Sequence, residues 1–170
     1  GVGTRGVGAR GVLPPCQRVR FSSWFRGRTP SLGRDRRATV AVFPTCLVEY
    51  QDTRTGKDLV QVYERNGIAC ELPPGQVCCG APVLHQGDVE GFVDAARRNI
   101  ATLARWIRSE RGHGGDPAVV VPQPTCGYVL KNDYVDYVGG PDAQLVAEHT
   151  YDAAEYLMKV HKEDRDAGGD

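Results

Sequence analysis

Six cysteines, at positions 16, 46, 70, 78, 79 and 126, are the residues best equipped for chemistry in this chain. Thiols can form disulfides, ligate metal or simply fill a core. A disulfide framework fits poorly, because no secretory signal is recognisable and an adjacent Cys78–Cys79 bridge would be strained. Structural zinc fits poorly too: its sites present paired ligands at C-x₂₋₄-C spacing, and adjacent cysteines make a poor tetrahedral chelate. Soft thiolates also select iron–sulfur clusters, whose several irons accept ligands that are neighbours in sequence. Cluster binding by Cys46, Cys78, Cys79 and Cys126 is therefore the leading reading. Gly80 and Gly127 each follow one of these cysteines. A missing side chain would let a cofactor approach the backbone, whose N–H groups can then bond to sulfur.

Whether four cysteines distant in sequence can meet depends on the elements that carry them. ATVAVFPTC, from Ala38 to Cys46, has a short apolar core and predicts a buried strand. Thr55 and Asp58 stand at capping-box spacing before Leu59, Val60 and Tyr63, a helix that stops at Asn66-Gly67. Ile68 to Leu72 predicts a second strand. Asp88 caps a long helix with apolar residues at Val89, Phe92, Val93, Ala96, Ile100, Leu103, Ala104 and Ile107. Ala118 to Val121 is a third strand, followed by a short helix from Gly127 and an Asp152-capped helix with Tyr156, Leu157 and Val160. The alternation predicts an α/β fold, a small parallel sheet of βαβ units with flanking helices. Cys46, Cys78-Cys79 and Cys126 then all follow strands, at the carboxyl edge where such sheets gather ligands. Cys70 falls inside strand two as a small buried hydrophobe, and Cys16 falls upstream of the fold.

The 170 residues carry 21 basic and 21 acidic side chains, so net charge makes no case for nucleic acid. The balance hides an asymmetry: residues 1–40 hold nine arginines and one acid, a charge of +8, and the remainder is −8. With its GVGTR-GVGAR near-repeat, the opening predicts a disordered basic arm over 1–37. A single domain is expected over 38–163 and a disordered tail over 164–170. Phe21, Trp24 and Phe25 among the arginines offer contacts to RNA or a membrane surface, though a flexible leader is the plainer reading. No apolar run approaches the ~20 residues of a membrane span. The chain opens on Gly1 and reads as a piece of a longer protein.

Other polar residues have ordinary explanations beside any functional one. His85 could reach a cofactor or be a loop residue. Lys131, Asn132, Asp133 and Tyr134 could line a docking face or form a solvated helix surface. Solvent contact suffices for His113, His149 and His161. No catalytic triad, carboxylate pair or phosphate loop is present.

Thr45-Cys46, Cys78-Cys79-Gly80-Ala81-Pro82 and Pro124-Thr125-Cys126-Gly127, on alternating strands and helices, resemble the cysteine-rich CCG domain family. Its members include the B-subunit of heterodisulfide reductase, glycolate oxidase iron–sulfur subunits and lactate-utilisation proteins. FPTCLVEYQ, PQPTCGYVLKNDYVDY and HTYDAAEYL look most like the group containing the C-subunit of anaerobic glycerol-3-phosphate dehydrogenase, and the resemblance covers residues 38–163. It implies an electron-transfer subunit rather than a stand-alone enzyme, with no catalytic residue of its own. Cys46, Cys78, Cys79 and Cys126 would ligate a 4Fe–4S-type cluster. Partners would be a flavin-bearing dehydrogenase subunit and other iron–sulfur subunits, passing electrons towards quinone or a disulfide acceptor. The location would be cytoplasmic, with membrane contact peripheral, at the inner face and through partners. Val129 stands where the heterodisulfide reductase version has its last cysteine, and one CCG repeat is present where members usually carry two. The alternative is a non-redox docking module with structural zinc or no metal.

Overall fold

The computed structural model describes residues 16–31, 37–112 and 116–167. Four parallel strands, β1 (Ala38–Val42), β2 (Ile68–Glu71), β3 (Ala118–Val121) and β4 (Thr150–Asp152), form one sheet in the order β2-β1-β3-β4. Helices α1 (Phe21–Gly27), α2 (Thr53–Arg65), α3 (Ala81–His85), α4 (Val89–Gly112), α5 (Pro124–Tyr128), α6 (Tyr134–Tyr137), α7 (Gly140–Glu148) and α8 (Ala153–Ala167) surround it. The expected α/β class and parallel sheet are what the chain forms.

Both faces of the sheet are covered, which is why β3 reads as an unbroken apolar run, AVVV. Strand alternation divides the core in two. Ala41, Phe43, Val119 and Val121 point towards Phe92, Ala96, Leu103 and Ile107 of α4 and Ala143 and Val146 of α7. Val40, Val42, Ala118 and Val120 point towards Val60 and Tyr63 of α2, Tyr156 and Val160 of α8, and Phe21 of α1. Cys70 faces this second cluster, in β2. Burial, then the nearby Glu64 charge, pushes its thiol up to about 12, so it serves as core packing.

Several expectations need correction. The capping residue of α2 is Asp52, not Thr55: Asp52 accepts from the Thr55 backbone N–H at 3.4 Å and its hydroxyl at 2.6 Å. Those two bonds hold the Asp52 carboxyl below its ordinary range. Asp58 instead pairs with Arg54 on the exposed helix face. The helix that follows β3 starts at Pro124, not Gly127. Neither α7 nor the three-residue strand β4 was expected. His149 is not a solvent residue. It is buried, with Nε2 2.8 Å from Arg111 Nη2 and Nδ1 2.8 Å from Leu145 O. His161 is exposed.

The largest difference lies at the start. Residues 16–31, expected within a disordered arm, form a strap over α2 and β2. Phe21 is fully buried, against Val48 and Gly56. Arg28 Nη1 lies 2.6 Å from Glu64 Oε1, with both side chains less than a tenth exposed. The Arg28 guanidinium also sits 4.1 Å from the Phe25 ring, and Glu64 accepts from Ser31 N and Oγ at 2.9 and 3.0 Å. The aromatic–arginine stretch is thus spent on the fold's own packing. Of the expected arm, residues 1–15 and 32–36 lie outside the described residues, as do His113 and positions 168–170 of the expected tail. α8 continues to Ala167.

Candidate metal centre

The strand order makes β1 and β3 neighbours whose connections run to opposite sides, so the crevice at their carboxyl ends is the switch point of the sheet. Cys46 stands four residues beyond β1 and Cys126 five beyond β3. Cys78 and Cys79 arrive from the connection between β2 and α4. The four cysteines expected to meet do so, in a chain of contacts: Cys46 to Cys78, Cys78 to Cys79, and Cys79 Sγ to Cys126 Sγ at 3.2 Å. Cys46 is exposed, Cys78 half-buried, and Cys79 and Cys126 buried. Cys16 is exposed on the strap.

Each cysteine lies just before, or in the first turn of, a helical segment, where backbone N–H groups lack intrahelical partners. Cys46 begins a π-helical turn, Leu47–Gln51. It follows the buried Thr45, whose Oγ1 accepts from Val48 N and whose carbonyl accepts from Glu49 N. Cys78 and Cys79 precede α3, and Cys126 lies in the first turn of α5, which runs into a second π-helical turn, Val129–Asp133. A π-helical turn directly after Cys46 and another starting three residues beyond Cys126 are a feature functional sites favour.

The thiols are electrostatically unlike. Cys78 accepts from Cys46 and Cys79, with the N–H groups of Gly80 and Cys79 adding to the pull, so its thiol is drawn well below the ordinary range despite burial. Cys126 is lowered by the bond it accepts from Cys79. Cys46 and Cys79, as donors, are raised. This donor set fits a thiolate-ligated cluster. The sulfurs meet pairwise, and among the described residues no three His, Cys, Asp or Glu converge on a single metal ion. A tetrahedral zinc needs such convergence; a cluster takes its thiolates on several irons, so its ligands need not meet at one metal ion.

Residues with no cysteine chemistry hold the arrangement. Gln76 Nε2 donates to Val42 O at 3.2 Å, fixing the cysteine-bearing loop to the end of β1. Asn99, fully buried on the apolar face of α4, accepts from Val77 N at 2.8 Å. Its Nδ2 lies within 3.2 Å of the Val77 and Cys78 carbonyls and 2.8 Å from Tyr134 Oη. Tyr134 Oη in turn donates to Cys79 O at 3.1 Å. Tyr134 is therefore no docking residue: it is an internal strut. Lys131 bonds Glu155 and Asn132 bonds Tyr128 O, while His85 ends α3 exposed. The sequence signal for Asn99 was available as a lone amide between Ala96, Ile100 and Leu103.

The two glycines differ. Gly80 has φ +92°, and a Cβ there would meet Phe92 Cδ2 at 2.6 Å, so packing alone demands glycine. A Cβ at Gly127 would find only Val121 Cβ, 4.0 Å away. Gly80→Ala is expected to cost about 2–4 kcal/mol from left-handed strain and overpacking. Gly127→Ala should stay within about 1 kcal/mol of wild type. Chemical denaturation of both variants checks this; equal midpoints would contradict it.

The sequence profile of the CCG cysteine-rich domain matches residues 40–131, the stretch that contains all four clustered cysteines. The chain belongs to the CCG cysteine-rich domain family. It is 29% identical over 150 residues to the C-subunit of anaerobic glycerol-3-phosphate dehydrogenase of Escherichia coli (strain K12), covering 88% of this chain and 36% of that protein. It is 33% identical over 129 residues to lactate utilization protein A of Bacillus cytotoxicus and of Bacillus thuringiensis, covering 72% of this chain and 49% of each. This CCG chain thus spans about a third to a half of the length of the curated relatives it matches. No solved structure matches it significantly. Among the described residues, no helix is long and apolar enough to cross a membrane.

Proposed function

We propose that this CCG domain, residues 38–163 with the strap, is an iron–sulfur electron-relay module of an oxidoreductase. Cys46, Cys78, Cys79 and Cys126 would hold a 4Fe–4S-type cluster, with Gly127 leaving room for it at the backbone and the Gly80 N–H facing sulfur. The observation that carries the reading is the gathering of these four thiols, from three separate connections, at the switch point of the sheet. Relatedness to a component of an anaerobic dehydrogenase supports the redox setting.

A bound cluster would accept and release single electrons. The protein's part is to present thiolates, to aim N–H groups at them and to exclude water from the inner pair. Cys79 and Cys126 are 3% and 5% exposed, which keeps one side of the centre dry. Cys46 and Cys78 line an open cleft of about 270 Å³, the side from which electrons would be exchanged. The donor would be a flavin-bearing dehydrogenase partner, with other iron–sulfur subunits and a quinone or disulfide acceptor downstream. Such a module works in the cytoplasm, meeting a membrane only through its partners.

The test is iron and acid-labile sulfide content with a visible spectrum after oxygen-free reconstitution, on wild type and Cys79→Ser. Wild type is expected to take up about four irons with matching sulfide, in a band bleached by dithionite and lost in the variant. Zinc or no metal, with stability indifferent to Cys79→Ser, would overturn the reading in favour of a docking module.

A further inference from the structure

We infer that Glu49 positions Cys46, by tying the π-helical turn that begins at this cysteine to helix α1 of the N-terminal strap. The inference rests on the proposed cluster site but stands on separate contacts. Cys78 and Cys79 are pinned from the core through Gln76, Asn99 and Tyr134, and Cys126 is buried within α5. Cys46 alone of the four is exposed, at the head of a turn of five residues whose backbone closes on itself through Asp52 N to Leu47 O.

The strap holds that turn from outside. The Glu49 carboxylate accepts from Ser22 N at 2.9 Å and from Ser22 Oγ at 2.6 Å. One residue on, Tyr50 O accepts from Gln17 N at 2.6 Å, and the Arg20 guanidinium lies 5.2 Å from the Tyr50 ring. Ser22 and Arg26 stand in the wall of the same cleft as Cys46 and Cys78. α1 is itself immobilised, by Phe21 in the core and by the Arg28–Glu64 pair that follows it. The contact also completes α1, since its N-cap residue Arg20 supplies no side-chain cap. One carboxylate therefore serves two ends: it caps α1 and fixes Cys46 against Cys78.

Capping alone would confine the effect of losing Glu49 to α1, whereas positioning extends it to the cysteine turn. The experiment uses the full chain as wild type, Glu49→Ala, Glu49→Gln, Ser22→Ala and Cys46→Ser. Hydrogen exchange is followed by mass spectrometry on the metal-free protein, and iron content and spectrum after reconstitution. In Glu49→Ala, amides of residues 47–51 should exchange about tenfold faster, with iron falling to the level of Cys46→Ser although every thiol is present. Glu49→Gln, which keeps an oxygen acceptor, should stay near wild type, and Ser22→Ala should lie between. Unchanged exchange over 47–51, or normal iron and spectrum in Glu49→Ala, overturns the inference. Should Glu49→Ala fail to fold, Ser22→Ala decides by the same two readings. Wild type that takes up no iron defeats the proposed function, and exchange alone then decides the role of Glu49.

Discussion

Replacing Arg28 with alanine is expected to destabilise the protein by about 3–5 kcal/mol, because it strands the Glu64 carboxylate, 4% exposed, without its cation. A change of that size should lower the melting temperature by roughly 10 °C in a chain of this length. The penalty belongs to the uncompensated charge, so Glu64→Gln in the same chain should recover most of it. Glutamine still accepts from Ser31, and no buried charge remains. Removing residues 1–31 deletes Arg28 together with Phe21, opening the core at Val48 and Gly56, and should cost more than Arg28→Ala alone. Thermal and denaturant unfolding of wild type, Arg28→Ala, Glu64→Gln and the double variant form a double-mutant cycle, with the truncated chain as a fifth protein. A truncated chain melting with wild type would defeat the claim that the strap is part of the fold.

That strap shows where sequence reasoning reached its limit. Nine arginines among the first 40 residues give the composition of a disordered arm, and composition averages over the few residues that matter. Phe21 and Arg28 are two side chains whose partners, Gly56 and Glu64, lie 35 and 36 positions away, beyond any local pattern. β1, β2, β3 and α4 were legible because their signals are local: short apolar runs between turn residues, and steps of three and four over 24 residues. β4 was not, since three residues leave no period to read and its strand character comes from pairing with β3. The two π-helical turns left no sequence mark either. For the site, the cysteines were legible from type and position after strands, and the structure brings them together. What the sequence did not reveal was their support, because a buried amide such as Asn99 acquires its meaning only from the loop that packs over it.

The thiols also divide in a way no spacing could indicate. Cys79 and Cys126 form an inner pair backed by Tyr134 and the α4 core. Cys46 and Cys78 form an outer pair open to the cleft, held on one side by α1. A centre built this way has a rigid dry half fixed by the sheet and an accessible half fixed by the strap, so its two halves should respond to different substitutions: the outer to Glu49 and Ser22, the inner to Asn99 and Tyr134.

Asn99→Asp is the sharpest probe of the inner half. The substitution preserves shape and the bond accepted from Val77 N, but a carboxylate has no N–H to offer the Val77 and Cys78 carbonyls. Attraction becomes repulsion at both, and a negative charge is buried beside thiols that would ligate as thiolates. A loss of about 3–5 kcal/mol is expected, by the same penalty on an unpaired buried charge, with iron uptake abolished in whatever protein folds. Asn99→Leu removes the bonds without adding charge and should cost about 2–4 kcal/mol, for the unsatisfied Val77 N–H and the carbonyls it leaves behind. Tyr134→Phe strands only the Cys79 carbonyl and one Asn99 N–H, for about 1–2 kcal/mol, and should retain partial iron binding. The order Asp, Leu, Phe in severity follows from counting which groups lose partners and which gain a charge. Denaturant midpoints with iron content on the three variants read it directly, and an Asn99→Asp protein as stable and as iron-loaded as wild type would remove Asn99 from any role in holding Cys78 and Cys79.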